Sequence, residues 1–311
     1  MAKTAFLFPG QGAQYIGMGK ELCGHFPCAD AVFEEASASL GMDVKHLVFD
    51  GDEETLKQTE NTQVAMLTMS VAVLRVLEEK GIRADVAAGL SLGEYGALVA
   101  AQAIPFSDAV RIIKKRGRFM QEAVPLGVGG MAAILGLDND AVRKICDDAS
   151  DVGIVEPANF NCPGQVSIAG QNGAVEKACE LAKERGAKRA VPLAVSAPFH
   201  CSMLKKAGDN LAAELKNLEI SPLQVPVITN VTADYVTAEE VKAMLTRQVT
   251  SAVLWEDTIR RMIADGVDTF VEVGAGKTLC GFMRRIDKDK LAVNVEDMAS
   301  LEAACEKLGV K

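Results

Sequence analysis

The 311-residue chain lacks any C-x-x-C pair; its eight cysteines are scattered at 23, 28, 146, 162, 179, 201, 280 and 305. That spacing excludes a common zinc site and a disulfide framework, and it fits a reduced, cytoplasmic setting. No apolar run approaches the roughly 20 residues of a membrane span. The apolar stretch Ala5–Phe8 is too short for a signal peptide, and a Pro-Gly turn follows it. No internal repeat or low-complexity linker is visible. Positive charge is in deficit: the net charge of -9 argues against nucleic acid as a partner, and an acidic partner would need a local basic patch. With 49% hydrophobic and 24% charged residues, the chain has the make-up of a soluble globular protein with a large core. Histidine is scarcest among the chemically useful residues, with only three.

What is present begins with Gly89-Leu90-Ser91-Leu92-Gly93. It fits G-x-S-x-G, a sharp strand-to-helix turn that exposes a serine hydroxyl. The flanking glycines suit a turn where side chains would collide. Asp85–Ala88 reads as the short buried strand before it, and Glu94–Ala103 as the helix after it. Elsewhere, Thr4–Phe8 reads as a buried strand and Thr62–Lys80 as an apolar helix stopped by Gly81. Ser107 is expected to cap a helix running to about Ala123.

From residue 127 the pattern changes. Strands over Met131–Leu137, Ile154–Phe160, Gln165–Ala169 and Lys188–Val195 alternate with helices over Asn139–Ser150 and Ala174–Arg185. That order is βαββαβ, a ferredoxin-like split motif. The expected organisation is a large α/β-hydrolase-like domain of residues 1–126 and 197–311, with a mostly parallel sheet, and an inserted small subdomain of 127–196. In the returning segment, a helix is expected over Cys201–Leu218. Strands are expected over Val225–Asn230, Thr269–Val273 and Leu291–Val295.

A nucleophilic serine needs a base. His25 sits at a bend between helices and His46 on an amphipathic stretch; both read as surface residues. His200, after Ser196-Ala197-Pro198-Phe199, lies at the seam between the two domains, where sites concentrate, although a satisfied seam histidine would look the same. An α/β-hydrolase triad places its histidine last. None occurs in the 111 residues after His200. A Ser-His dyad is therefore expected, with a backbone or amide carbonyl fixing the imidazole tautomer.

The helix after Ser107 carries an apolar stripe at 109, 112, 113, 120 and 123, with Arg116 in its middle. A buried guanidinium needs an anion. An internal carboxylate or a substrate carboxylate, gripped by two parallel hydrogen bonds, would serve. Two glycine-rich segments fail as phosphate loops. Gly276-Lys277-Thr278 has Val271 where a Walker loop needs glycine, and Gly10-Gln11-Gly12 has Tyr15 in place of the third fingerprint glycine. The Gly10–Gly12 turn still offers bare N–H groups at a strand end, as an oxyanion site requires.

Together these segments resemble the malonyl-CoA:acyl carrier protein transacylase family over nearly the whole chain. The matching segments, in order, are Pro9–Gln14, Thr62-Gln63, the Ser91 elbow, Arg116-Gly117, Asn159–Gln165, Pro198-Phe199-His200, Gln248 ahead of Leu254-Trp255, and Glu272–Lys277. The resemblance implies Ser91 as nucleophile and His200 as base, with the N–H groups of Gln11 and Leu92 as oxyanion hole. It implies Arg116 as the clamp on the malonyl carboxylate, Gln248 as the residue whose carbonyl orients the histidine, Asn159 and Asn161 as cleft lining, and Phe199 as a mark of malonyl preference. It further implies malonyl transfer to the phosphopantetheine thiol of acyl carrier protein in fatty acid biosynthesis, with no cofactor and no metal, by a monomer. A polyketide-type acyltransferase or a serine thioesterase are the alternatives. One departure stands out: the family commonly has His before the nucleophile, and here it is Leu90. Lys114, Lys115, Lys188 and Arg189 are the candidate carrier-docking cations.

Overall fold

Lys3–Phe8 (β1) and Val86–Gly89 (β2) run side by side and parallel, with Phe8 opposite Gly89, so the turn after each strand emerges at the same sheet edge. The structure, a computed structural model, describes residues 3–195 and 197–310. Further along the chain come Gly129–Leu135 (β3), Val155–Cys162 (β4), Gln165–Gln171 (β5), Arg189–Pro192 (β6), Val227–Ile228 (β7), Val267–Val273 (β8) and Leu291–Val295 (β9).

The larger sheet has the order β7-β2-β1-β8-β9, and every pairing in it is parallel. Both faces are covered. Phe6 and Phe8 point into one apolar cluster with the long Thr59–Glu79 helix, while Ala5 and Leu7 point into another with Trp255, Ile259 and Phe270. Period-two alternation with both sides apolar is what a parallel sheet between helices requires. The smaller sheet is antiparallel, in the order β4-β5-β3-β6, with the Asn139–Ala149 and Asn172–Glu184 helices packed together and against it. This is the expected α/β architecture with a βαββαβ unit. Ser196, the last residue of the expected subdomain, lies outside the described residues.

The two sheets are stitched by backbone. In β4, Phe160 N–H donates to Val253 O at 2.9 Å, and Val253 N–H returns a bond to Ala158 O at 2.9 Å. The next residue, Leu254, donates to Asn230 O at 2.9 Å, so the seam continues to the end of β7. Arg285 adds a side-chain tie, donating to Gln165 Oε1 at 2.8 Å and to Pro163 O at 3.1 Å.

Three local expectations are corrected. Ser107 caps nothing: the helix is Phe106–Glu122 with Pro105 at the N-cap, whose fixed φ sets the helix entry in place of a side-chain cap. The strand expected over Val225–Asn230 pairs only at Val227–Ile228. Pro226 has no N–H to give, and Asn230 spends its N–H on a buried carboxylate. The helix expected over Cys201–Leu218 is a 3₁₀ turn, Ser202–Leu204, followed by an α-helix over Lys205–Leu215. A C-terminal helix, Met298–Leu308, completes the fold; its capping box pairs Asp297 with Ser300.

Candidate active site

The G-L-S-L-G segment is a strained elbow. Ser91 sits at φ 55, in the left-handed region that costs a non-glycine residue about 1–2 kcal/mol. The glycines show why the turn can close. A Cβ on Gly89 would overlap the backbone of Gly93, and one on Gly93 would strike the carbonyl of Phe8. The elbow is therefore pressed against the end of β1, where Leu90 N–H donates to Phe8 O at 2.9 Å. The helix Gly93–Ala100 starts immediately after it, with Leu92 at its N-cap.

Ser91 Oγ meets two groups from distant parts of the chain. His200 Nε2 lies 2.7 Å away, and the Nδ1 of the same ring lies 2.8 Å from the backbone oxygen of Gln248. A carbonyl only accepts, so Nδ1 carries the proton and Nε2 faces the serine as an acceptor. His200 also holds a left-handed backbone, φ 61, and is buried. Burial, and then the charge of Arg116, push its pKa down to about 4, so the imidazole is neutral at pH 7.

The second group is Arg116. Its Nη2 donates to Ser91 Oγ at 3.1 Å and to Gln248 Oε1 at 2.9 Å, and Nη1 donates to Gln63 Oε1 at 2.8 Å. The side chain is 1% exposed, and its Nε has no partner among the described residues. Of the two anions considered from sequence, an internal carboxylate in direct contact is not found among the described residues. The neighbours that hold the guanidinium are neutral oxygens. Burial lowers the Arg116 pKa, opposed by the nearby Tyr95 and Glu94. The guanidinium is thus dry, fixed and short of negative charge, beside the serine hydroxyl.

Around Ser91 and His200 a cleft of about 130 Å³ is lined by Gln11, Gln63, Met131, Asn159, Leu193 and Phe199, among others. A neighbouring cleft of about 250 Å³ shares Gln11, Leu90, Asn159 and Ser167 with it and adds Asn161, Gly10 and Phe282. Asn159 thus lines both, Asn161 the larger one, and Phe199 the smaller one. Leu90 stands at the junction. The N–H groups of Gln11 and Leu92 donate no hydrogen bond among the described residues. One comes from the turn after β1, the other from the helix N-terminus with its positive dipole end. His25 and His46 are exposed, as expected, and line neither cleft.

Not foreseen were Glu94 and Asn230. Glu94 is buried one turn after the serine and accepts from Asn230 N–H and from Gln248 Nε2, each at 2.9 Å. Burial raises its pKa to about 7, against the opposing pull of these donors and of Arg116. Asn230 bridges the elbow: its Oδ1 accepts from Ser91 N–H at 2.6 Å and its Nδ2 donates to Gly89 O at 2.6 Å. A lone carboxylate in an otherwise apolar helix, and an amide at the carboxyl end of a strand, were the available signals. Of the candidate docking cations, two meet acids from other elements. Lys114 pairs with Glu60 and Lys115 with Glu214. Lys188 and Arg189 lie beside Leu135, at the end of the small sheet opposite the cleft-lining Met131 and Leu193.

Comparison with known proteins shows the family. The acyl transferase domain model matches residues 5–302. The malonyl CoA-acyl carrier protein transacylase of Bacillus subtilis is 48% identical over 310 residues, covering 99% of this chain and 98% of that one. The crystal structure of the malonyl CoA-acyl carrier protein transacylase from Clostridium perfringens superposes with a TM-score of 0.97 at 47% identity, covering 99% of this chain and 98% of that one. A malonyl-transacylase in complex with its type II PKS acyl-carrier protein superposes with a TM-score of 0.96 at 45% identity, covering 98% of this chain and all of that one. At such identity over essentially full lengths, the chain belongs to the malonyl CoA-acyl carrier protein transacylase family of acyl transferase domains.

Proposed function

We propose that this protein transfers a malonyl group from malonyl-CoA to the phosphopantetheine thiol of an acyl carrier protein, in the cytoplasm, for fatty acid synthesis. The observation that carries the reading is the position of Ser91 Oγ, 2.7 Å from a neutral imidazole and 3.1 Å from a buried guanidinium.

In the first half-reaction, His200 Nε2 takes the Ser91 proton as Oγ attacks the thioester carbonyl. The imidazolium that forms is held by the Gln248 carbonyl on Nδ1. The carbonyl oxygen becomes an oxyanion, stabilised by the N–H groups of Gln11 and Leu92; losing one such donor typically costs about 3–4 kcal/mol. Collapse expels CoA thiolate, which takes the proton from His200, and leaves a malonyl ester on Ser91. The free carboxylate of that ester replaces neutral oxygens on Arg116, completing its charge. In the second half-reaction the carrier thiol gives its proton to His200 and attacks the ester; the Ser91 alkoxide leaves and takes that proton back, and the carrier departs as malonyl thioester. This is ping-pong catalysis by the chain's own residues. Asn159, Asn161 and the larger cleft line the approach for the pantetheine arm common to both thiols. A polyketide carrier, as in the similar complex, would use the same site without changing a step. We further propose that residues 127–196 form one subdomain and 1–126 with 197–311 the other.

The test is intact protein mass after brief incubation with malonyl-CoA or acetyl-CoA, on wild type and Ser91→Ala. One malonyl adduct on wild type alone, with little acetyl adduct, is expected. Prompt CoA release without an adduct would instead make the protein a hydrolase.

A further inference from the structure

Ser91, His200 and Arg116 come from three different elements, and each reaches back to a single buried carboxyl group by one intermediary. Glu94 accepts from Gln248 Nε2 and from Asn230 N–H. Gln248 in turn offers its backbone oxygen to His200 Nδ1 and its side-chain oxygen to Arg116 Nη2. Asn230 holds Ser91 N–H and Gly89 O, bracing the strained elbow. Gln248 and Asn230 are each 0% exposed, and Glu94 is 1% exposed, so water does not compete for these bonds. A glutamine amide can lie either way round. With Glu94 accepting, Nε2 turns toward Glu94 and the Ser91 carbonyl, 3.0 Å away, and Oε1 is left facing Arg116. Without that acceptor, a flipped amide would present an N–H to the guanidinium.

We infer that Glu94 is a positioning residue for the transfer reaction, holding the nucleophile's elbow through Asn230 and the base and guanidinium through Gln248. The inference rests on the proposed malonyl transfer and adds to it a residue that touches neither substrate nor reacting atoms. What matters in this role is an acceptor oxygen at the right reach. Three variants separate reach from charge. Glu94→Gln keeps the reach and loses the charge. Glu94→Asp keeps the charge and withdraws the oxygen by one methylene. Glu94→Leu loses both.

The experiment is rapid-quench measurement of the Ser91 malonylation rate as a function of malonyl-CoA concentration, with circular dichroism as the check on folding. Expected is a rate within about threefold of wild type for Glu94→Gln, and a loss of at least about tenfold for Glu94→Asp and Glu94→Leu. KM should move by less than about threefold, because the cleft walls are untouched. If Glu94→Leu does not fold, the order of the Gln and Asp variants decides. Glu94→Asp as fast as Glu94→Gln, or every folded variant at the wild-type rate, overturns the inference. Wild type forming no malonyl ester would instead overturn the proposed function, independently of Glu94.

Discussion

Replacing Arg116 by alanine should change which acyl group the protein accepts more than whether it reacts at all. Among the described residues the guanidinium makes three hydrogen bonds, all to neutral oxygens, and its Nε has no partner. A malonyl carboxylate can take two parallel charge-assisted bonds there, each worth about 1.5–3 kcal/mol. Their loss amounts to about 3–6 kcal/mol, or about 10²–10⁴-fold in kcat/KM for malonyl-CoA at about 1.4 kcal/mol per decade. Acetyl-CoA has no carboxylate, and for it the variant loses only the three contacts to neutral oxygens, of which the one from Nη2 to Ser91 Oγ alone touches a reacting atom, at a cost of about tenfold or less. The malonyl-to-acetyl preference should therefore fall by at least about tenfold, read from adduct formation rates with the two thioesters. Arg116→Lys, with a charge but no planar fork, should fall between. The variant also removes a cation that lowers the His200 pKa, so the acid limb of its residual acetyl transfer should move to higher pH. Equal losses for the two acyl groups would refute the anion-site role.

Other outcomes follow from the same site. Because burial and Arg116 hold His200 at a pKa of about 4, acylation should stay flat from about pH 8 to about pH 5 and decline only near the lowered value; an inflection at the ordinary 6.5 would contradict this. The two buried titrating groups bend stability in opposite directions. His200, lowered from 6.5 to about 4, loses stability as pH falls through that window, whereas Glu94, raised from 4.5 to about 7, loses it as pH rises. Glu94→Gln removes only the second effect, so its urea midpoint should gain on wild type between about pH 5 and 7.5; parallel curves would reject the Glu94 shift. Gly89→Ala drives a methyl into the Gly93 backbone and should cost about 3 kcal/mol or more in denaturant unfolding. Reversing Lys114 or Lys115 breaks only a partly exposed ion pair and should change stability by about 1 kcal/mol or less, with the carrier-protein KM unchanged.

Much of this architecture is legible in sequence because the signals are local. β1 alternates Ala5, Phe6, Leu7 and Phe8 between two apolar clusters, and the small subdomain writes its βαββαβ order in plain periodicity. Scarcity singles out His200, and a cation within an apolar stripe singles out Arg116. What escapes is whatever depends on partners distant in sequence. Nothing near Asn230 announces that its amide will span Gly89 and Ser91, 141 and 139 residues away. Nothing near Glu94 announces Gln248, 154 residues on. Pro226 could have warned that β7 would be short, since it gives no ladder donor. The candidate docking cations show the same limit: a run of charge read along one helix says nothing about which acids from other elements will meet it.

The backbone stitching between the sheets bears on how this chain can be recombined. Ala158 and Phe160 of β4 exchange hydrogen bonds with Val253, and Leu254 continues the seam to Asn230 beside Ser91. A graft of residues 127–196 from a relative would bring one side of that zipper and leave the other behind, nearly 60 residues downstream. The heritable module is therefore discontinuous. A chimera that moves the cleft-lining strand together with residues 251–254 should keep the register between Asn159 and Ser91, whereas one that moves the strand alone has to match a foreign partner before it can present a working cleft.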